Sequence, residues 1–137
     1  MTSKKVFLNK TYNAYANQEI PEEDVELTHV GPGTPGGEYL RRFWHPVIYI
    51  EELTDVPVAT RILGEDLVVF QDFGGQLGAV QANCPHGKHS LEFGSVCERG
   101  IRCRHGWLID VDGTILETPG EPDDSPLEDR QFHGAYA

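Results

Sequence analysis

The sequence predicts an all-β domain: a small antiparallel sandwich or barrel with two cysteine- and histidine-bearing loops, preceded by an N-terminal arm and a short helix. Three observations predict it. β-Branched and aromatic residues recur in short runs, at Val47–Ile50, Val58–Leu63, Leu67–Phe70, Leu77–Val80, Gly100–Cys103 and Trp107–Ile109. Turn formers separate these runs at short intervals, as at Gly64-Glu65-Asp66, Phe73-Gly74-Gly75 and Val111-Asp112-Gly113-Thr114. Two short pieces, Cys84-Pro85-His86 and Cys103-Arg104-His105-Gly106-Trp107, lie with sixteen residues between His86 and Cys103.

Taken in order, residues 1–32 show little periodicity and read as an extended or wrapping arm. A helix is expected over about 34–44. Thr34 suits its N-cap and Pro35 its first position, where the missing N–H costs nothing. Tyr39, Leu40, Phe43 and Trp44 recur at helical spacing and are its expected buried face. From residue 46 the pattern turns to strands, through the hairpin at Gly64–Asp66 and the turns at Phe73–Gly75 and Val111–Thr114, the last leading into Ile115-Leu116. The domain proper is placed at 33–118. Residues 119–137, rich in Pro, Gly and acidic side chains, read as a tail or linker.

A chain of 137 residues suffices for one domain with a real core. No apolar run approaches the length that spans a bilayer. Residues 1–8 lack the apolar stretch of a secretory signal, so the cytoplasm is the expected compartment. The net charge of −11 argues against nucleic-acid binding, which needs a basic surface. Acidic residues gather at Glu19–Glu26 and at Asp110–Asp129. Lys88, Arg99, Arg102 and Arg104 cluster near the two loops, as if to steer an acidic partner toward them. Three cysteines leave one over after any pairing, which speaks against a disulfide framework.

Two weaker motifs resolve into turns. Gly31-Pro32-Gly33-Thr34-Pro35-Gly36 has the letters of a dinucleotide-binding loop, but its prolines remove backbone donors and no βαβ unit follows. Asp110-Val111-Asp112-Gly113 starts like a calcium loop, but strand-like residues on both sides make it a hairpin turn. Cys97 reads as a spare thiol and His45 as structural. His29 and His133 read as surface residues, and Ser90 has no partners for nucleophilic chemistry. His89 reads as a solvated loop side chain, or as a substitute should another ligand be displaced. The strong signal is Cys84, His86, Cys103 and His105. Two thiolates and two imidazoles satisfy tetrahedral zinc. They equally satisfy a 2Fe–2S centre with two Cys on one iron and two His on the other.

Residues 84–107 resemble the Rieske domain of bacterial aromatic ring-hydroxylating oxygenases, in the alpha (oxygenase) subunit, whose pattern is Cys-x-His, about sixteen residues, then Cys-x-x-His-Gly-Trp. Gly31-Pro32-Gly33-Thr34-Pro35, Tyr39–Val47, Leu63–Leu67 and Glu117–Pro122 are also similar to segments of those subunits, so the resemblance covers about residues 28–125. It implies a Rieske-type fold and a 2Fe–2S cluster, with Cys84 and Cys103 on the buried iron and His86 and His105 on the outer one. It implies one-electron transfer from a reductase or ferredoxin to a mononuclear Fe(II) site in a neighbouring catalytic domain absent from this chain. It also implies a homotrimer for the full-length subunit. One departure matters: only Arg104 stands between Cys103 and His105, where the family has two residues. The missing residue removes roughly 3.3 Å of reach. Two other readings therefore stand beside the oxygenase domain: a stand-alone Rieske ferredoxin, and a zinc-stabilised binding module.

Overall fold

Among residues 22–85, 89–122 and 135–136, which the computed structural model describes, eight short strands form two antiparallel sheets. β1 (Val58–Ile62), β2 (Glu65–Gln71), β3 (Leu77–Gln81) and β8 (Ala135–Tyr136) make one, in the order β1-β2-β3-β8. β4 (Ser95–Val96), β5 (Ile101–Arg102), β6 (Leu108–Ile109) and β7 (Ile115–Glu117) make the other, in chain order. The all-β expectation holds. The region expected to be a tail supplies β8, which pairs Ala135 with Val80 and Tyr136 with Ala79.

The first hairpin turns earlier than its Gly-Glu-Asp signal suggests. Leu63 and Gly64 both have positive φ, 49° and 75°, the signature of a two-residue type I′ turn. Glu65 and Asp66 are strand residues opposite Ile62 and Arg61. The left-handed conformation is unusual for leucine. Here Arg41 fixes the Leu63 carbonyl at 2.9 Å, while also donating to the Val30 carbonyl at 3.2 Å and to Glu65 at 3.0 Å.

Two expectations near the N-terminus are corrected. The helix is α2, Pro35–Leu40, preceded by the short α1, Val25–Thr28. Thr34 caps α2 as expected, its hydroxyl accepting from Gly37 N–H at 3.1 Å. Its aromatic residues are not buried: Tyr39, Phe43 and Trp44 are 60%, 55% and 87% exposed. The buried face belongs to Gly37, which sits so close to the carbonyls of Val30 and Gly31 that a Cβ would overlap both. Docking on that face turns the aromatics outward, where Tyr39 and Phe43 pack edge to face at 5.3 Å. Val47–Ile50 is not a strand. Pro46 lacks a donor, and the chain enters a 3-10 turn at Ile50–Glu52, where Tyr49 N–H donates to the Glu52 carboxylate at 3.2 Å.

The core joins the two sheets. Val68 and Phe70 of β2 and Val80 of β3 meet Val96, Ile101, Ile109 and Ile115 of the second sheet, together with Leu91 and Trp107. Buried Asp72 ties the sheets at one end, accepting from Gln76 N–H at 2.8 Å and Gly100 N–H at 3.3 Å. The Asp110–Thr114 segment is a hairpin turn, as expected. Asp110 N–H bonds the Thr114 carbonyl at 2.8 Å, and Thr114 N–H bonds the Asp112 carboxylate at 2.9 Å.

Thr114's hydroxyl and amide hold the Asp112 carboxyl below its ordinary range. The folded pKa is thus lower than the unfolded one. The contribution is complete above the unfolded carboxylate range and is lost as pH falls through the folded value. Amide exchange at Thr114, corrected for its intrinsic rate, should quicken as the solution is acidified through that window, and Asp112→Asn should abolish this dependence.

Candidate metal centre

Each loop is flanked by paired antiparallel backbone. In the first, Leu91 N–H bonds the Ala82 carbonyl at 2.7 Å and Cys84 N–H bonds the His89 carbonyl at 2.9 Å, with Asn83 and Ser90 opposite each other between them. In an antiparallel ladder this sets Cys84 directly across from His89, on the face that carries Ala82 and Leu91. Ser90 is structural: its hydroxyl accepts from Glu92 N–H at 3.2 Å and caps the 3-10 turn Leu91–Phe93, which sends Leu91 into the core.

In the second hairpin, Cys103 N–H bonds the Trp107 carbonyl and Gly106 N–H bonds the Cys103 carbonyl, both at 2.9 Å. Arg104, His105 and Gly106 form a three-residue loop that ends on a left-handed glycine, Gly106 at φ 96°. That is a standard hairpin closure. Arg102 braces it, bonding the Gly106 carbonyl at 2.5 Å and Glu117 at 2.7 Å. With one residue fewer than the family pattern, the clip closes as a regular hairpin loop.

Of the four expected ligands, Cys84 and Cys103 are 3% and 6% exposed and belong to one core cluster, alongside Trp107. His105 is exposed at the loop tip. His86 lies outside the described residues. The structure adds a neighbour: the His89 and His105 rings are 5.0 Å apart, tilted by 48°. His89 is exposed, as expected of a solvated loop side chain, with the His105 ring as its neighbour. Counting the hairpin register back from Leu91 would have set it opposite Cys84. Among the described residues, no three His, Cys, Asp or Glu side chains gather closely enough to hold an ion as they stand.

The remaining sequence candidates fall away from metal chemistry. His45 Nε2 donates to the Leu40 carbonyl at 2.7 Å and so closes the C-terminal end of α2. Cys97 follows β4, its Sγ 3.7 Å from the Ser95 carbonyl. His29 is exposed beside Glu23 at 3.3 Å, and His133 lies outside the described residues. The basic cluster is thinner than the sequence suggests. Arg99 is tied to Asp110 at 2.6 and 2.8 Å and Arg102 to Glu117, while Lys88 lies outside the described residues.

Two thiols buried in one core cluster and an exposed His105 at the adjoining hairpin are donors of the kinds that a Rieske centre uses, sulfur on one iron and nitrogen on the other. In donor chemistry the described residues suit that group. Residues 43–128 match the Rieske 2Fe–2S domain family, and the chain belongs to it. Its relatives are oxygenase subunits. The chain is 53% identical over 120 residues to the oxygenase subunit of the tert-butanol monooxygenase / tert-amyl alcohol desaturase of Aquincola tertiaricarbonis, covering 87% of this chain and 26% of that one. It is 51% identical to the phenoxybenzoate dioxygenase subunit alpha of Ectopseudomonas oleovorans, covering 79% of this chain and 27% of that protein. Among solved structures, NdmA of Pseudomonas putida CBB5, in a mutant form with theobromine, superposes with a TM-score of 0.64 at 33% identity, over 73% of this chain and 31% of that one. The chain therefore spans about a quarter of the length of the curated relatives it matches. Among the described residues, no helix is long and apolar enough to cross a membrane.

Gly106 needs its positive φ for the short loop to close. Its nearest neighbour, Pro119, leaves room for a methyl group at 3.5 Å, so backbone conformation is the cost of a side chain there. Gly106→Ala should lower unfolding free energy by about 1–2 kcal/mol, read from the urea midpoint at unchanged m-value.

Proposed function

We propose that this chain is the electron-transfer domain of an oxygenase subunit, with a 2Fe–2S cluster held by Cys84, His86, Cys103 and His105. The observation that carries the reading is the placement of two buried thiols in one core and an exposed imidazole at the tip of the adjoining hairpin. When bound, such a cluster takes up and releases one electron at a potential raised by its imidazole ligands. The chain's own residues divide the remaining work. Cys84 and Cys103 would anchor the inner side from the packed core, and Trp107, buried in the same cluster, would exclude water from it. His105 offers its ring edge to solvent, which makes the loop tips the port for electrons. A reductase or ferredoxin is the donor, and a mononuclear iron in a neighbouring catalytic domain is the acceptor. The length of the relatives favours this over a stand-alone Rieske ferredoxin, because the oxygenase subunits they name are about four times as long as the matched region. Substrate hydroxylation is work for such a neighbouring domain.

The shortened second clip keeps one rival in view, a single zinc on the same four residues. Purified protein should be brown, contain two irons and two acid-labile sulfides per chain, and give on dithionite reduction an EPR signal with the low average g-value of mixed His/Cys ligation. A colourless protein with one zinc would replace this reading with the zinc module.

A further inference from the structure

We propose that the outer face of the first sheet, with the aromatic residues beside it, is the seat of the catalytic domain carried by the same oxygenase subunit. The inference rests on the reading above that this chain is the electron-transfer domain of such a subunit, and it assigns the surface that holds the two domains together.

Burial along the strands leads to it. In a sheet with one wet face, buried and exposed residues alternate. β2 instead buries four in a row, Leu67, Val68, Val69 and Phe70. Val68 and Phe70 belong to the core that joins the two sheets. Leu67 and Val69 therefore face the other way. Ala79 stands opposite Val69 and shares that face with Leu77, two residues earlier. Segment 43–53, which forms no strand, lies over this second apolar face and covers it incompletely. Phe43, Trp44, Val47, Ile62, Leu67 and Ala79 line a groove of about 630 Å³. Ile48, Ile50, Val69, Leu77 and Ala79 line a second of about 330 Å³, so the two meet at Ala79. The cover is itself apolar on its outer side. Phe43, Trp44, Tyr49 and Ile50 are exposed, and so is Leu77 of β3. A contiguous apolar surface with unfilled grooves is the mark of a protein interface.

The occupant follows from length and position. The matched oxygenase subunits are about four times as long as the region they share with this chain. β8 pairs Tyr136 with Ala79, the residue at which the grooves meet, so polypeptide that continues past β8 starts at their rim. A domain tethered there meets the surface at an effective concentration on the order of millimolar. A second copy would have to approach against a net charge of −11 on each partner. Neither groove is lined by a residue of the two cysteine-bearing loops, so a domain seated here leaves His105 open to an electron donor.

The test uses the full-length subunit, purified with its cluster, with a photoreactive benzophenone side chain in place of Trp44 or, in a second variant, of Leu77. Glu98, exposed and outside both grooves, is the control position. After irradiation, products are sized under denaturing conditions and the joined peptides are identified by mass spectrometry. The inference expects the labels at 44 and 77 to join peptides from beyond residue 137 within one chain, at unchanged mass, and the label at 98 to join none of them. Products of doubled mass, which place a second copy on the surface, overturn it. So does a yield at 44 and 77 no greater than at 98. Iron, sulfide and EPR on the same samples test the cluster separately. A cluster without these cross-links overturns the inference alone, and the cross-links without a cluster overturn the cluster reading alone. A reading frame that encodes nothing past residue 137 overturns the inference together with the oxygenase reading. Circular dichroism checks folding, and should the label at 44 prevent it, the label at 77 decides under the same criteria.

Discussion

The backbone bonds from Cys84 N–H to the His89 carbonyl and from Cys103 N–H to the Trp107 carbonyl constrain everything at the loop end of this molecule. Each closes a hairpin at the residue that carries a sulfur. Each therefore fixes that sulfur relative to strands whose other residues are already committed to the core. Leu91 anchors the first hairpin and Trp107 the second, and both are buried in the cluster that contains the two cysteines. Deleting either bond would free a thiol from the apolar surface that orients it, and it would leave a backbone donor and acceptor to be satisfied elsewhere.

Under the proposed function, the result is a site with two kinds of donor on two kinds of support. The sulfurs belong to the core, where close packing tolerates little displacement. His105 sits at a loop tip, where a change of one residue can be absorbed by a different turn. The missing residue of the second clip falls on the tolerant side of that division. It lies after Cys103, so the strand register of Ile101 with Ile109 and Arg102 with Leu108 is intact. Its removal leaves a loop with its own regular closure, a glycine at the one position that needs positive φ and an arginine holding the glycine carbonyl. A deletion before Cys103 would instead have turned Ile101 out of the core.

Much of this was legible in the residues. The strand runs at 58–63, 67–70 and 77–80 announced themselves through β-branched side chains, and Thr34-Pro35 announced the start of α2. The cysteines and His105 were named by their spacing. The failures have definite causes. Tyr39, Phe43 and Trp44 show helical periodicity, but Gly37 offers backbone-to-backbone approach, which outweighed the aromatic face in so short a helix. Val47–Ile50 has strand composition without a partner strand among the described residues, and composition alone does not make a ladder. Leu63 was unreadable as a turn residue because its conformation is imposed by Arg41, twenty-two positions away. The proximity of His89 to His105 was hidden for a similar reason: it arises between two hairpins, and neither sequence contains the other.

Charge completes the account of the loop end. The chain carries −11 overall, so its field at a distance is unfavourable to an acidic electron donor. The arginines nearest the site do little to reverse this, since Arg99 faces Asp110 and Arg102 faces Glu117. Arg104, exposed beside His105, is the cation best placed to act on an approaching surface. At physiological ionic strength its influence fades over about 8 Å. Electrostatics here would act only once partners are nearly in contact, setting orientation more than rate. Under the proposed function, the shape of the two loop tips and the exposed imidazole edges, more than a long-range basic patch, must then select where an electron donor docks.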